Sequence, residues 1–159
     1  MPVIKYKSPF GVITIQEKNG AISRVYLPNN EPGDFVGADN PVRPQLLLNA
    51  KQQFEEYFAG ERRIFDLPLN FDGCTDFMKR VYHELMRVPY GETASYKTIA
   101  ERIGSPRAYR AVGLANNKNP LAILVPCHRI VGADGGLVGY AGGLALKQKL
   151  LELEHKYKY

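Results

Sequence analysis

Residues 98–115 read TIAERIGSPRAYRAVGLA, and how this stretch is parsed decides the fold of the half of the chain around it. Ser95, just upstream, offers a hydroxyl that can accept from the free N–H groups of a first helical turn. Gly104 is the residue type that most readily takes left-handed angles at a helix end. YKTIAERI is therefore expected as one helix. Ser105 and Pro106 then offer a second cap and a proline at the first helical position, so PRAYRAVGLANN is expected as the next. Two short helices joined by so few residues must turn sharply, which is the outline of a helix-turn-helix whose second helix enters a DNA groove. An ordinary helical hairpin has the same outline. Two details favour the DNA-binding version. Arg107 and Arg110 lie three apart and so share a face of the expected helix. Ala108, Ala111 and Ala115 keep its profile low.

Upstream, Val3–Lys7, Gly11–Gln16 and Ile22–Leu27 alternate in the period of strands, with SPFG and EKNGA as turns between them. This reads as a three-stranded meander. Pro28 to Pro44 holds four prolines and suits a surface excursion. From Gln45, Leu47, Ala50, Phe54 and Phe58 recur on one helical face, and Gly60 stops the run. ERRIFDLPLNFDG is a connection with one further short strand expected around Phe65. A domain boundary falls near residue 70, separating 1–70 from 71–159. Beyond it, Thr75 can cap a helix burying Phe77, Val81 and Leu85. ADGG and LVGYAGG read as a hairpin turn and an extended piece, and a last helix packs through Leu146, Leu150 and Leu153.

The 159 residues are 45% hydrophobic and 23% charged, a globular composition. The opening MPVIKYKSPFGVITI matches neither a signal peptide nor an anchor, and no stretch approaches the roughly 18 apolar residues of a membrane span. A soluble, cytoplasmic protein with no membrane partner is expected. Cys74 and Cys127 read as free thiols, and His83, His128 and His155 lack the spacing of a closed zinc site, so no metal is expected. The formal charge of +5 is a mild bias toward an anionic partner.

Residues 124–132, LVPCHRIVG, hold the chemistry. A reactive thiol needs a nearby base or positive field. His128 adjoins Cys127, yet successive side chains of an extended chain point to opposite faces. Either a turn follows Pro126 or a water bridges the pair. His128 needs an orienting acceptor in turn, and Glu152 and Glu154 are both suitable. On its own, such a pair more often marks a buried structural cysteine beside a hydrogen-bonded histidine.

Taken together, Pro126-Cys127-His128-Arg129 between apolar flanks, Asn119-Pro120 before it and RAVG at 110–113 resemble the O6-alkylguanine-DNA alkyltransferases, proteins of direct-reversal DNA repair. The resemblance covers Phe77 to His155, while the N-terminal half matches in architecture. It implies an α/β (α+β) fold: an N-terminal ribonuclease-H-like domain of small sheet plus helix, and a C-terminal winged-helix-like domain with the helix-turn-helix. It implies a monomer without cofactor or metal, acting on double-stranded DNA that contains O6-alkylguanine, and on O4-alkylthymine. The alkyl group passes irreversibly, once per molecule, to Cys127 from a flipped-out base. His128 then takes the thiol proton through a water, Glu154 orients His128, Tyr96 donates a proton toward the departing guanine, and Asn119 braces the cysteine segment. Arg110 fills the gap in the base stack, Tyr140 with GYAGG lines the pocket, and Arg107, Ala111 and Gly113 belong to the DNA-binding surface. The rival readings are a non-catalytic binder of alkylated DNA, against which the cysteine itself argues, an alkylation-sensing regulator, and a cysteine hydrolase. Cys74 receives no role.

Overall fold

A computed structural model describes residues 2–31, 44–136, 140 and 142–158. The chain divides into two compact units, Met1–Asp72 and Gly73–Tyr159.

In the first unit, strands β1 (Val3–Ser8), β2 (Gly11–Lys18) and β3 (Ala21–Tyr26) form an antiparallel sheet in that order. Asn19 and Gly20 both take positive φ, 53° and 78°, the pattern of a tight two-residue hairpin whose twist matches its strands. Val3, Ile13, Ile15, Ile22 and Val25 are buried, and helix α1 (Pro44–Phe58) packs on the sheet with Leu47, Ala50, Phe54 and Tyr57 fully enclosed. The meander and the helix are those expected. The strand expected around Phe65 does not form. Phe65 packs its ring on Phe54 and Tyr57, at 5.1 and 5.4 Å between centroids. The Gln53 amide holds Asp66 from both sides, accepting from its N–H at 2.8 Å and donating to its carbonyl at 2.9 Å. The additional pairing lies at Leu69, where Ile22 N–H donates to Pro68 O and Asn70 N–H to Ile22 O. Of the surface excursion, residues 32–43 lie outside the described residues.

In the second unit, helix α2 (Asp76–Leu85) is capped by Thr75, whose hydroxyl accepts from Met78 N–H at 3.1 Å. Its buried face is Val81, Tyr82 and Leu85, with Phe77 only partly covered. The Tyr82 hydroxyl donates to Ala115 O at 2.8 Å, which ties α2 to the second helix of the helix-turn-helix. Strand β4 (Ala94–Ser95) leads into α3 (Tyr96–Arg102), capped by Ser95 as expected and ended by Gly104 at φ 78°.

Helix α4 spans Tyr109–Asn117 and so starts later than the sequence suggests. Ser105 does not cap it. Residues 105–108 close a turn through Ala108 N–H to Ser105 O at 2.8 Å, and the helical ladder opens with Val112 N–H to Ala108 O. The φ that proline fixes serves the second position of such a turn as well as a first helical position, and here the turn prevails. Arg107 therefore stands in the turn, so it shares no helical face with Arg110. Ala115 is buried against Tyr82 and adds nothing to an outer surface.

After a 3-10 turn at Cys127–Arg129, strand β5 (Ile130–Val131) pairs in parallel with β4. Gly132 N–H donates to Gly136 O at 2.8 Å across the ADGG turn. Of the extended piece expected next, Leu137, Val138, Gly139 and Ala141 lie outside the described residues. Helix α5 (Leu144–Tyr157) buries Lys147, Leu150 and Glu154, with Leu146 and Leu153 only partly covered on the flanks of that stripe. Two charged residues thus occupy the inward face, and their partners are found around Cys127.

Candidate active site

The segment from Asn119 to Arg129 is a chain of tight turns. Asn119 Oδ1 accepts from Leu121 N–H at 2.9 Å and its Nδ2 donates to Val125 O at 2.8 Å, so one side chain clamps both ends of the bend. Between them Leu124 N–H donates to Ala122 O at 2.8 Å across Ile123, which sits at φ 72°. Left-handed angles are costly for a β-branched residue, on the order of 1–3 kcal/mol, and persist only where the surroundings impose them. Ile123 is buried, as are Leu121, Ala122, Leu124 and Val125 around it. Cys127 N–H then donates to Val125 O at 2.7 Å across Pro126 at φ −79° and ψ 64°, an inverse γ-turn, and Arg129 N–H to Pro126 O closes the 3-10 turn. A turn does follow Pro126. From α4, Asn116 Nδ2 donates to Cys127 O at 3.3 Å, linking the helix-turn-helix to the cysteine.

His128 is fully buried, and its Nε2 lies 2.6 Å from Glu154 Oε2. Of Glu152 and Glu154, the structure brings Glu154 to the histidine, while Glu152 accepts from Gln148 on the exposed side of α5. The carboxylate accepts, so Nε2 carries the hydrogen and Nδ1 bears the lone pair. Nδ1 has no hydrogen-bond partner among the described residues. Arg129 grips the same carboxylate with two prongs, Nε to Oε1 at 2.8 Å and Nη2 to Oε2 at 3.1 Å, and donates through Nη1 to Val88 O at 2.8 Å. Gly91 N–H adds a fourth donor to Glu154 at 3.1 Å. Gly91 has φ 78° and Lys158 against it, so a Cβ there would come within 2.6 Å of the lysine stem.

The charges follow from this packing. Burial pushes the Cys127 thiol up, while polar contacts from Asn119 and Tyr140 and the charge of Lys147 pull it back. Burial lowers His128, against the upward pull of Glu154, and Arg129 and Lys147 lower it further. Burial would raise Glu154, but His128 and Arg129 hold it well below the usual carboxylate range. Burial raises Tyr140 strongly and Tyr96 less so, and the neighbouring Cys127 adds to both. Lys147 is lowered by burial, an effect that Cys127 opposes. Burial thus disfavours both the thiolate of Cys127 and the imidazolium of His128, with two phenols and Lys147 within electrostatic reach. Such a group can transfer a proton from sulfur to nitrogen and hold the thiolate that results. Among the described residues no three His, Cys, Asp or Glu side chains are grouped to hold a metal ion.

Cys127, His128, Glu154, Asn119, Tyr96 and Tyr140 thus come together. Arg107, Arg110 and Ala111 are exposed, on the turn and the outer face of α4, away from its buried Val112, Ala115 and Asn116. Gly113 lies against Tyr96, where a Cβ would meet the ring at 3.6 Å. Sequence reasoning missed Lys147, Asn116 and the two-pronged Arg129. The spacing of Lys147, Leu150 and Glu154 along one helical stripe was the available signal for the first.

Residues 3–71 match the family described as 6-O-methylguanine DNA methyltransferase, ribonuclease-like domain, and residues 76–156 that of 6-O-methylguanine DNA methyltransferase, DNA binding domain. The chain is 46% identical over 148 residues to a methylated-DNA--protein-cysteine methyltransferase of Methanosarcina barkeri, covering 93% of each. It is 44% identical over 160 residues to one of Mycolicibacterium paratuberculosis, covering 98% of this chain and 94% of the relative. Its fold matches a crystal structure of Mycobacterium tuberculosis OGT in complex with DNA with a TM-score of 0.89 at 41% identity, over 99% of this chain and 94% of that one.

Proposed function

The chain belongs to the 6-O-methylguanine DNA methyltransferase family, and from that membership we propose that it repairs DNA by direct reversal, moving the alkyl group of O6-alkylguanine in duplex DNA onto Cys127. The Cys127 sulfur attacks the alkyl carbon. The S–C bond forms as the C–O6 bond breaks, and the bonding pair leaves on the guanine. The thiol proton passes through a water to His128 Nδ1, Tyr96 supplies a proton to the leaving base, and exchange with solvent restores both groups. Thiol plus O6-alkylguanine becomes thioether plus guanine, and since a thioether has no easy route back, each molecule acts once. No cofactor enters this balance.

One observation supports this reading most. A thiol and an imidazole whose Nδ1 has no partner among the described residues occupy successive positions of one 3-10 turn, with the other imidazole nitrogen tied to a carboxylate. Cys127 is 4% exposed, so a stacked base cannot reach it and the lesion must be flipped out. Arg110, outward on α4, fills the space left in the stack, with Arg107, Ala111 and Gly113 against the duplex. Tyr140 with Gly142 and Gly143 lines the pocket for the flipped base, and Asn119 holds the thiol in place. The protein works as a monomer in the cytoplasm, and O4-alkylthymine is a further substrate. Among the described residues no helix is long and apolar enough to cross a membrane.

The test is to treat the protein with a duplex carrying O6-methylguanine and map the modified peptide by mass. A single methyl on the peptide containing Cys127, absent in Cys127→Ala, is the expected result. A methyl on Cys74, or repair with Cys127 unmodified, would refute the assignment.

A further inference from the structure

The Glu154 carboxylate does more than orient His128, because it is shared. His128 Nε2 and Arg129 Nη2 both meet Oε2, while Arg129 Nε and Gly91 N–H both meet Oε1. The guanidinium that takes one side of the carboxylate is itself fixed by Val88 O at 2.8 Å and lies 5.7 Å from the Tyr90 ring centre. It cannot lose its charge at any working pH.

Geometry alone does not make His128 a base. A buried carboxylate 2.6 Å from an imidazole attracts a second proton onto the ring. An imidazolium formed at rest could accept nothing from Cys127, since both nitrogens would already carry hydrogen. Among the described residues the charges acting on His128 are Glu154 and Lys147 from α5 and Arg129 from its own turn; the Cys127 thiol precedes it in the chain, and the Tyr140 hydroxyl stands beside that thiol. Burial is the first obstacle to that second proton, and Arg129 adds to it by meeting the carboxylate directly at both oxygens.

We propose that Arg129 is a positioning residue of this site. Its two-pronged ion pair with Glu154 leaves the carboxylate able to hold the Nε2–H of His128 but not to load a second proton onto Nδ1. Arg129 thereby keeps His128 an uncharged base poised for the Cys127 proton. This rests on the reading of Cys127 as alkyl acceptor only for its functional consequence. The protonation state of His128 is a property of the protein without DNA. Arg129 enters the reaction through His128 and touches neither thiol nor base.

The experiment is to follow the His128 ring carbon signal by NMR against pH in the DNA-free protein, with the rate of transfer from a methylated duplex measured on the same samples. The wild type is expected to keep His128 uncharged through neutral pH. In Arg129→Gln, His128 should take up its proton at least one pH unit higher, and transfer near neutral pH should fall about tenfold or more and recover as pH rises. Arg129→Lys keeps the charge without the fork and should hold His128 uncharged, with most of the rate. If Arg129→Gln does not fold, the pair Arg129→Gln with Glu154→Gln removes charge and countercharge together, and His128 should then titrate as in the wild type. His128 titrating unchanged in Arg129→Gln, with a rate loss equal at all pH values, would overturn the proposal. So would Arg129→Lys charging His128 at neutral pH, or the double variant doing so. If the wild type transfers nothing while the titrations behave as stated, the alkyl-transfer reading fails and the role of Arg129 stands.

Discussion

Lys147 and Cys127 share one buried environment and act on each other. The Lys147 charge offsets part of the rise that burial imposes on the thiol, and Cys127 offsets part of the fall that burial imposes on the ammonium. A fully buried lysine on the inward face of α5 is unusual enough to require such a counterpart. Lys147→Met keeps most of the length and removes the charge. Its thiol should ionise at higher pH, so modification of Cys127 by a small alkylating reagent should slow about tenfold or more near neutral pH and recover in alkali. An unchanged pH dependence would show that Lys147 does not act on the thiol.

Acid stability follows from Glu154 and His128. The folded His128 resists a proton that the unfolded chain accepts below about pH 6.5, and the folded Glu154 stays ionised where the unfolded chain protonates below about pH 4.3. Both groups bind more protons unfolded, so stability falls as pH drops through the first window and falls further through the second. Urea midpoints measured from pH 8 to pH 3.5 should show this, and Glu154→Gln should flatten the lower part. Midpoints equal at pH 7 and pH 4 would contradict it.

The left-handed Ile123 reverses an ordinary preference. Replacing it by alanine or glycine empties the same buried space, costing on the order of 2–5 kcal/mol. At φ 72°, however, glycine should be the more stable of the two variants by about 1 kcal/mol, where in most contexts alanine is. Denaturant unfolding of both variants decides this, and alanine proving the more stable would mean the bend carries no strain.

Arg110 is exposed on α4, while Asn116 on the opposite face holds Cys127 O. Arg110→Ala should therefore weaken repair of duplex DNA far more than transfer from a free alkylated base, because only the duplex requires a base to be displaced. Equal losses on the two substrates would remove Arg110 from that role.

Much of the fold is legible in the sequence. The meander and α1 carry clean two-residue and helical periods, and Thr75, Ser95 and Gly104 act as the caps and stop their chemistry suggests. Errors arose where one local signal serves two structures. Ser105-Pro106 suits a turn as well as a helix start, and Phe65 suits a strand as well as an aromatic stack. The site was partly legible for a different reason. Cys127, His128 and Arg129 are contiguous, and Glu154 was one of two named acceptors. Lys147 shares a helical stripe with Leu150 and Glu154, a spacing the sequence carries, whereas the sharing of Glu154 is a long-range fact, set by how α5 meets the 3-10 turn, and no local pattern states it.

On this account one molecule repairs one base. The most direct measurement mixes the protein with an excess of duplex bearing O6-methylguanine and counts repaired guanines at completion against active protein. The count should stop at one per molecule, however long the incubation and however large the excess. Repair that continues past one, or binding of the lesion with no repair, would contradict it.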